Sequence, residues 1–350
     1  MSLSIGIVGL PNVGKSTLFN ALLQRQVSDV AEYPFTTIEP NTGVVKVGDE
    51  RLDKLSEVLK IKKKVPAVIK FYDIAGLVKG AHKGQGLGNQ FLGHIRSVDA
   101  ILHLVRGFSA EKIPHVSGRV DPVHDLNTIN LELALADFEL ISKVLKENKR
   151  MEADKKKVLE KLLKILGSGK LAMEAELNSE EKTLIKEVNL LTLKPMLYAL
   201  NLDELAVGGF SQAPDMPPVM ILSAKLEAEI NQLKEKERKE YLKHLGLEES
   251  LLDRLIKRCY KLLDLITFFT VKGGKQVQAW PLEKGKTVIE AAEIVHTDFA
   301  KNFIKAEVID WQELVKLTSW VKAREKGKLK LAGKDYRVKE GEVIEFMIGS

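Results

Sequence analysis

Eight residues near the amino terminus, from Gly9 to Ser16, have the spacing G-x-x-x-x-G-K-[ST] that is typical of phosphate-binding loops. They lie between the apolar run Leu3–Val8 and a segment, Thr17–Leu23, with helical periodicity. In that position the glycines let backbone N–H groups surround a phosphate, and the helix N-terminus adds positive potential. Lys15 would neutralise phosphate charge, and the Ser16 hydroxyl would bind Mg²⁺. The predicted nucleotide-binding residues of this loop are Gly9, Leu10, Pro11, Asn12, Val13, Gly14, Lys15, Ser16 and Thr17.

A second group of candidate residues follows the strand-like run Val68–Tyr72. There Asp73 can reach a water molecule on Mg²⁺, and the backbone N–H of Gly76 can meet the γ-phosphate. A threonine between the two motifs, Thr36 or Thr37, offers a further hydroxyl for the metal, and the spacing does not distinguish the two. The predicted metal ligands are Ser16, Thr36, Thr37 and Asp73, and Lys15 and Gly76 are predicted to act on the γ-phosphate during hydrolysis.

The group that orients the attacking water is harder to identify. Many GTPases have a glutamine directly after the glycine of this second motif, but the residue here is Leu77, which has no hydrogen-bonding group. Either another group orients the water, or hydrolysis is slow until a partner helps. His82 and His115 lie in loops from which they could do this, although for either one a plain surface role is an equal alternative.

The base-recognition motif is altered. GTP-binding proteins read guanine with Asn-Lys-x-Asp after a strand, whereas the run Met196–Leu200 is followed here by Asn201-Leu202-Asp203-Glu204. The guanine-selective carboxylate is therefore displaced, while Asn201 can still bond either purine. Ser223-Ala224-Lys225, after the next strand, is similar to the usual last base-contacting loop and leaves GTP possible. The predicted base-binding residues are Asn201, Leu202, Glu204, Ser223 and Ala224.

The elements that must position these residues alternate between strand and helix, which predicts an α/β core with a mostly parallel sheet. A long, charged, proline-free stretch then runs from Thr128 to about Leu193 with apolar residues at helical spacing. It predicts an antiparallel helical arm, with helices packed as a lid on the core as the alternative. The predicted strands of the core cover residues 44–47, 68–72, 100–105, 196–200 and 219–222, with a helix over 51–59.

The pattern changes again from about Ile266. Residues 268–271 and 276–280 flank Gly273-Gly274 and predict a hairpin, and Thr287 opens a helix with a capping-box pattern. The end of the chain alternates strictly over 336–339 and 343–348, as two strands joined by a turn would. These features predict a small, independent α+β domain.

Composition excludes several classes of protein. The chain has 350 residues, 45% hydrophobic and 29% charged, and no apolar run of about 18 residues that would predict a membrane span. The amino terminus lacks a secretory pattern, and the single cysteine, Cys259, cannot form an internal disulfide. These features predict a cytoplasmic protein without a membrane partner.

The net charge of +6 is unevenly distributed. Lys143–Lys164 has nine basic and four acidic residues, and Val315–Arg337 has eight basic and two acidic residues, so that the rest of the chain is net negative. Trp320 and Tyr336 lie within the second segment and could stack on bases. The two segments are candidate RNA-binding surfaces, although a solvated charged face is the common alternative for lysine-rich helices.

In combination, the motifs resemble those of the YchF or Obg-like ATPase family over essentially the whole chain. The resemblance is carried by Gly9–Thr17, Tyr33–Asn41, Asp73–Asn89 with its leucine at 77, and Asn201–Glu204. It implies a P-loop NTPase core of the OBG type (residues 1–128 and 194–265), an inserted helical coiled-coil arm (129–193) and a C-terminal TGS domain of ubiquitin-like, β-grasp α+β fold (266–350).

The resemblance also implies a function. It implies a Mg²⁺-dependent ATPase that prefers ATP over GTP, with slow intrinsic turnover and with His115, rather than His82, as the residue responsible for hydrolysis. Asn12 resembles the asparagine of K⁺-stimulated relatives, which adds potassium as a possible cofactor. The implied partners are the ribosome, with rRNA or tRNA contacted through the TGS domain and the basic arm, and the chain is expected to be mostly monomeric.

Three functions fit these features to different degrees. The favoured one is an ATP-hydrolysing regulatory switch that binds ribosome or RNA. The alternatives are a GTPase of the same fold with guanine preference, and a phosphotransferase that uses a small acceptor. A phosphotransferase needs an acceptor pocket or a base near the γ-phosphate, where this sequence has the apolar Leu77 and a series of glycines.

Overall fold

The computed structural model describes residues 3–26, 41–74, 87–110, 112–148, 150–207 and 216–349. The predicted site residues Thr36, Thr37, Gly76, Leu77 and His82 lie outside the described residues. The chain divides into two compact units. The P-loop unit contains residues Ser4–Gln24 and Phe71–Leu252, and the carboxy-terminal unit contains Met1–Leu3, Arg25–Lys70 and Asp253–Ser350.

The strands and helices are numbered in chain order. The strands are β1 (Ser4–Val8), β2 (Thr42–Lys46), β3 (Lys63–Val65), β4 (Val68–Asp73), β5 (Ala100–Arg106), β6 (Met196–Asn201), β7 (Val219–Leu222), β8 (Leu265–Lys272), β9 (Gln276–Glu283), β10 (Phe303–Asp310), β11 (Lys330–Ala332) and β12 (Glu342–Ile348). The helices are α1 (Lys15–Leu23), α2 (Glu50–Val58), α3 (Leu87–Ser97), α4 (Pro122–Glu147), α5 (Ala153–Gly167), α6 (Ser179–Ile185), α7 (Ala224–Ile230), α8 (Glu235–His244), α9 (Leu251–Leu262), α10 (Val288–Val295), α11 (Thr297–Lys301), α12 (Trp311–Leu317) and α13 (Trp320–Glu325).

The P-loop unit is built on a sheet with the strand order β4-β1-β5-β6-β7, in which β1, β5, β6 and β7 pair in parallel. Strand β5 pairs in parallel with β1 on one side and with β6 on the other, and every residue of β1 and β5 is buried. Parallel strands that are covered on both faces have continuous apolar sequences, which is why these strands were predictable. The predicted α/β core is confirmed, and the carboxyl ends of its strands meet at one edge of the sheet.

Helices α4, α5 and α6 are inserted between β5 and β6, and they confirm the predicted helical segment. Helix α4 begins at Pro122, with the Asp121 side chain as its N-cap. Leu126, in its second turn, is buried with Val105 and Leu200 of the sheet. Asp137, further along α4, is buried and accepts hydrogen bonds from the backbone N–H groups of Leu191 and Thr192. The first half of α4 is thus part of the core of this unit. This agrees with the alternative prediction, in which the inserted helices pack as a lid on the core.

The carboxy-terminal unit contains a sheet in which five strands have the order β9-β8-β12-β10-β11. Strands β8 and β9 form the predicted antiparallel hairpin, and β12 lies between β8, to which it is parallel, and β10, to which it is antiparallel. Helix α10 follows the hairpin, with the predicted capping box between Thr287 and Glu290. This order, with the last strand in the centre beside the first, is the β-grasp topology, so the predicted ubiquitin-like fold is confirmed.

One predicted strand of this unit, 336–339, is wrong. Only Arg337 makes an isolated bridge, and its partner is Thr287. The alternation in this segment arises because Val338 is buried and its neighbours are not, while its backbone bonds the start of α10 instead of a strand. The carbonyl of Tyr336 accepts from the Val288 N–H, and the Val338 N–H donates to the Lys286 carbonyl.

A segment from the first quarter of the chain also belongs to the carboxy-terminal unit, which the sequence patterns did not predict. Strand β3 pairs in parallel with β9. The Arg51 guanidinium of α2 bonds both Asp49 and Glu340 and lies 5.4 Å over the Phe269 ring. The ammonium of Lys54 lies 5.7 Å from the centre of the Trp311 ring.

Among the described helices none is both long and apolar enough to cross a membrane.

His103, in the middle of β5, is a titratable group at the centre of the P-loop unit. It is almost fully buried, its Nδ1 has no hydrogen-bond partner, and its ring lies 5.4 Å from the ring of Tyr198. Burial lowers the pKa of His103 from 6.5 to about 3, although a hydrogen bond with Asn130 opposes this. The folded protein therefore holds this histidine neutral.

We expect His103 to make the P-loop unit sensitive to acid. Below pH 6.5 the unfolded chain binds a proton here that the folded chain does not, so stability is fully present above that pH and falls by up to about 1.4 kcal/mol per unit on acidification. Urea unfolding at pH 7 and pH 5 should show a loss that is about 2 kcal/mol smaller in His103→Gln than in the wild type. The exposed His244→Gln variant is the control, and an equal loss in all three proteins would contradict the assignment.

Candidate nucleotide site at the carboxyl edge of the parallel sheet

A cleft of about 1060 Å³ lies at the carboxyl edge of the sheet in the P-loop unit. The loops after β1, β5, β6 and β7 line it. Binding sites in open α/β sheets occur at this edge. Of the residues predicted from sequence, those that line the cleft are Asn12, Gly14, Lys15, Ser16, Thr17, Asn201, Leu202, Glu204, Ser223 and Ala224. Phe108, Ser109, Ala110 and Ile113, from the loop after β5, also line it and were missed.

The two glycines of the phosphate-binding loop are required by close contacts. Gly14 has φ 96°, and a Cβ there would lie 2.3 Å from the Asn201 Nδ2 atom. A Cβ on Gly9 would lie 2.4 Å from the backbone oxygen of Leu104. Any larger residue at either position would displace the loop from β5 or β6. The sheet beneath the loop therefore requires glycine at both positions of the motif.

Lys15, the first residue of α1, points back into the loop. Its Nζ donates to the backbone oxygens of Leu10, at 2.8 Å, and Gly9, at 3.2 Å. The side chain is buried, and burial lowers its pKa from 10.5 to about 8, although the charge of Asp73 opposes this. An ammonium group that is desolvated and held by neutral carbonyls favours an anion brought into the loop.

Ser16 and Asp73 bring two hard oxygen ligands together. The Ser16 hydroxyl, in the first turn of α1, donates to Asp73 Oδ2 at the end of β4, at 3.2 Å. Burial raises the pKa of Asp73, while the Ser16 hydrogen bond and the Lys15 charge lower it. No cluster of three or more His, Cys, Asp or Glu residues suited to a metal occurs in the described ranges. One carboxylate and one hydroxyl fit Mg²⁺, which is usually bound by few protein ligands together with phosphates and water.

Asn201, at the end of β6, holds the phosphate loop and the base loops together. Its Nδ2 donates to the Val13 carbonyl at 3.0 Å, and its Oδ1 accepts from the Ala224 N–H at 2.9 Å. The side chain is buried, and these two bonds leave one amide hydrogen and one lone pair for a base. Ser223, before Ala224, caps α7 with its side chain. Asn201 therefore has a structural role in addition to the predicted contact with a base.

Glu204, which replaces the usual aspartate, begins a short 3-10 turn after β6. Its Oε1 accepts a hydrogen bond of 2.7 Å from the hydroxyl of Tyr241 in α8. The next residue, Leu205, is 97% exposed and lines the mouth of the cleft. Asp203 takes another direction, since it accepts from the backbone N–H of Ser109.

Arg106, the last residue of β5, binds the loop that follows β5, whose cleft-lining residues the sequence patterns did not predict. It is 2% exposed, and its guanidinium donates to the carbonyls of Ile113, at 2.9 Å, and Phe108, at 3.2 Å. The same group lies 4.4 Å from the centre of the Phe108 ring, which lines the cleft. The available signal was an arginine that ends an otherwise apolar strand.

His115 lies in the same loop, after β5, but it is not among the residues that line the cleft. Its Nε2 is 2.7 Å from Asp125 Oδ2, and its Nδ1 accepts from the Ser117 N–H at 3.2 Å. Both side chains of the His115–Asp125 pair are buried, and burial is the main cause that raises the pKa of Asp125. The neighbouring Pro114 carbonyl accepts from Asn12 Nδ2 at 3.1 Å, which links this loop to the phosphate-binding loop. The predicted catalytic role of His115 would need the imidazole to reach the cleft, which it does not line here.

Comparison with known proteins gives two family models and several full-length relatives. A model described as a 50S ribosome-binding GTPase matches residues 4–149, and a YchF-GTPase C-terminal model, described as a protein of unknown function, matches residues 265–349. The ribosome-binding ATPase YchF of Bacillus subtilis is 46% identical, and that of Haemophilus influenzae is 45% identical, each over 99% of both chains. The solved structure of the Schizosaccharomyces pombe YchF GTPase matches with a TM-score of 0.86 at 34% identity, over 99% of this chain and 98% of that chain.

The burial of Lys15 predicts a pH dependence of nucleotide affinity. Since its pKa is about 8 and a bound phosphate favours the ammonium form, binding above pH 8 must take up a proton. We expect the dissociation constant for a nucleoside triphosphate to rise about tenfold per pH unit above pH 8, measured by calorimetric titration. The dependence should be absent in Lys15→Arg, because a guanidinium stays charged there. A wild-type affinity that is constant from pH 7 to pH 9.5 would contradict the prediction.

Proposed function

The chain belongs to the YchF family, and from this premise we propose that it is a nucleoside triphosphatase that hydrolyses ATP in preference to GTP and acts as a nucleotide-dependent switch on the ribosome. The observation that carries the proposal is the cleft itself. A buried Lys15 and Ser16, whose hydroxyl bonds Asp73, line the same pocket as the altered base motif at the carboxyl edge of the sheet. The relatives carry the name of ribosome-binding ATPases.

In this proposal the chain binds the triphosphate along the loop from Gly9 to Ser16. Lys15 moves its ammonium from the carbonyls of Gly9 and Leu10 to the β- and γ-phosphates. Ser16 and Asp73 hold Mg²⁺, together with Thr36 or Thr37, and the Gly76 N–H is assigned to the γ-phosphate from the sequence motif. When bound, Mg²⁺ supplies neutralisation of phosphate charge. Potassium is proposed as a second cofactor on the resemblance of Asn12 alone.

Base selectivity is assigned to Asn201, Leu202 and Glu204. Leu202 replaces the lysine of the guanine motif and is 6% exposed, so that this part of the motif is apolar. Glu204 reaches the cleft as a carboxylate on a side chain one carbon longer than aspartate. Ser223 and Ala224 line the cleft at its base end. They are equally compatible with the alternative proposal, a GTPase of the same fold. Direct comparison of ATP and GTP dissociation constants decides between the two.

The ribosome is proposed as the partner because the relatives are named for it and because the charge of the chain is concentrated in two segments. In the second segment Lys322, Lys326 and Lys328 are exposed, and the loop after α13 carries two of them. Trp320 and Tyr336 are half-buried, and both rings already have contacts within the unit. Tyr336 packs against the core of the β-grasp sheet, with the Lys330 ammonium over its ring, and the Trp320 indole N–H donates to Glu307. Phosphate contacts by lysines, more than stacking, would carry the binding to rRNA or tRNA. A ribosomal partner implies a cytoplasmic location.

From sequence we propose an NTPase domain over 1–128 and 194–265, a helical arm over 129–193 and a TGS domain over 266–350, although Arg25–Lys70 belongs to the carboxy-terminal compact unit. The arm carries the first basic segment on α4 and α5. We propose a mostly monomeric protein in which the nucleotide state changes the affinity of these basic surfaces for the ribosome.

Ribosome binding should be salt-dependent and should stimulate ATP hydrolysis. We expect ribosomes to raise the ATPase rate at low salt and to lose this effect at high salt, measured by phosphate release and co-sedimentation. Replacement of Lys322, Lys326 and Lys328 by Ala should reduce the slope of log affinity against log salt by about 2–3. A second triple variant, in which Lys143, Lys146 and Lys156 are replaced by Ala, tests the basic surface of the arm in the same way. No stimulation and no co-sedimentation would contradict the proposed partner.

His115 should affect turnover and not ATP affinity. If it orients the water, His115→Ala keeps the ATP dissociation constant within about twofold and lowers kcat by about 10²-fold or more. The same change leaves a buried Asp125 without its partner, so we also expect a loss of about 1–3 kcal/mol of stability. The exposed His94→Ala variant is the control. An unchanged kcat in His115→Ala would remove this residue from the mechanism.

A further inference from the structure

The hydrogen bond between Tyr241 and Glu204 reaches from α8 into the base end of the cleft. Tyr241 is distant in sequence from every motif described above, and no nucleotide-binding role follows from its position in the chain. Its hydroxyl donates to Glu204 Oε1 at 2.7 Å. In the described part of the chain, Glu204 makes no ion pair, and this bond is the one hydrogen bond of its carboxylate.

The tyrosine is well placed to fix that carboxylate. Its ring packs against the buried cluster of Leu226, Ile230 and Leu242, which joins α7 to α8. Helix α7 begins at Ala224, whose N–H also holds Asn201 at 2.9 Å. The same pair of helices therefore holds the first and the last residue of the base motif, Asn201 through the backbone and Glu204 through the Tyr241 hydroxyl.

The tyrosine keeps the proton that the bond requires. The hydrogen bond with the Glu204 carboxylate is the main cause that raises the pKa of Tyr241, so that the phenol keeps its proton and remains a donor. An ionised carboxylate is an acceptor only. Tyr241 thus donates to Oε1 of the carboxylate, and Oε2 remains as an acceptor for a ligand.

The two purines make different demands on such an acceptor. Guanine presents two adjacent donors, N1–H and the N2 amino group, and a carboxylate reads them with both oxygens. Adenine presents one amino group, at C6, and one oxygen is enough to accept from it. On the proposed function, in which this cleft binds the base of a nucleoside triphosphate, we infer that Tyr241 is a specificity-determining residue: by holding Oε1 of Glu204 it fixes the orientation of the carboxylate so that one oxygen is presented to a base, which suits adenine and not guanine.

Tyr241→Phe tests this directly, because the ring and its packing are kept and only the hydroxyl is lost. The quantity to measure is the ratio of the GTP to the ATP dissociation constant. We expect the ratio to fall roughly fivefold to tenfold, since the freed carboxylate can present both oxygens to guanine and is no longer held toward adenine. The matched control is Tyr198→Phe, which removes a hydroxyl that bonds Asn130 in the same unit, outside the cleft. It should leave the ratio unchanged.

A second pair of variants separates positioning from a general loss of packing. In a Glu204→Gln background, where the carboxylate is already gone, Tyr241→Phe should produce no further change in the ratio. Additive effects of the two substitutions, or an unchanged ratio in Tyr241→Phe alone, would overturn the role of Tyr241. The failure of the proposed function looks different: in that case the wild-type protein itself would bind GTP as tightly as ATP, or would bind neither.

Discussion

The nucleotide cleft depends on one close contact, between Gly14 and the Asn201 side chain. Because Gly14 has no Cβ, the amide of Asn201 can reach the Val13 carbonyl beneath the phosphate-binding loop. The other end of the same amide holds the first N–H of α7. A single buried side chain thereby links the phosphate-binding loop to the start of α7, between the proposed positions of the phosphates and the base. Both ends of the Asn201 amide and the nearby Ser16 hydroxyl have hydrogen-bond partners. A buried polar network needs such partners if it is to be stable.

Sequence patterns predicted those parts of the molecule in which the local signal and the tertiary environment agree. The buried strands β1 and β5 are mostly apolar because both faces of a parallel sheet are covered. The phosphate-binding loop was predictable because its glycines are required by backbone geometry, at φ 96° for Gly14. The capping box at Thr287 is a local exchange of hydrogen bonds over three residues, and it occurs where the pattern predicts.

The features that could not be predicted depend on partners in other structural elements. Strand β3 is a short basic segment, Lys63–Val65, with no propensity signal, and it is a strand because the edge of β9 is there to pair with it. The partner of His115 is Asp125, and that of Glu204 is Tyr241, 37 residues later. A periodicity analysis shows which face of a helix is apolar, but it does not show which polar atom of another element lies opposite. Alternation over 336–339 was misleading for the same reason, since burial of Val338 produces it without a neighbouring strand.

The course of the chain through its two units has a consequence for how the protein can be divided. The chain leaves one unit for the other after Leu3, Gln24, Lys70 and Leu252, so neither unit is a continuous stretch of sequence. A cut before residue 266 would remove the β9 partner of β3 and also the Phe269 ring and Glu340 carboxylate that Arg51 contacts. The properties of a chain shortened in this way would therefore report on exposed surface in residues 41–65 as well as on the missing sheet.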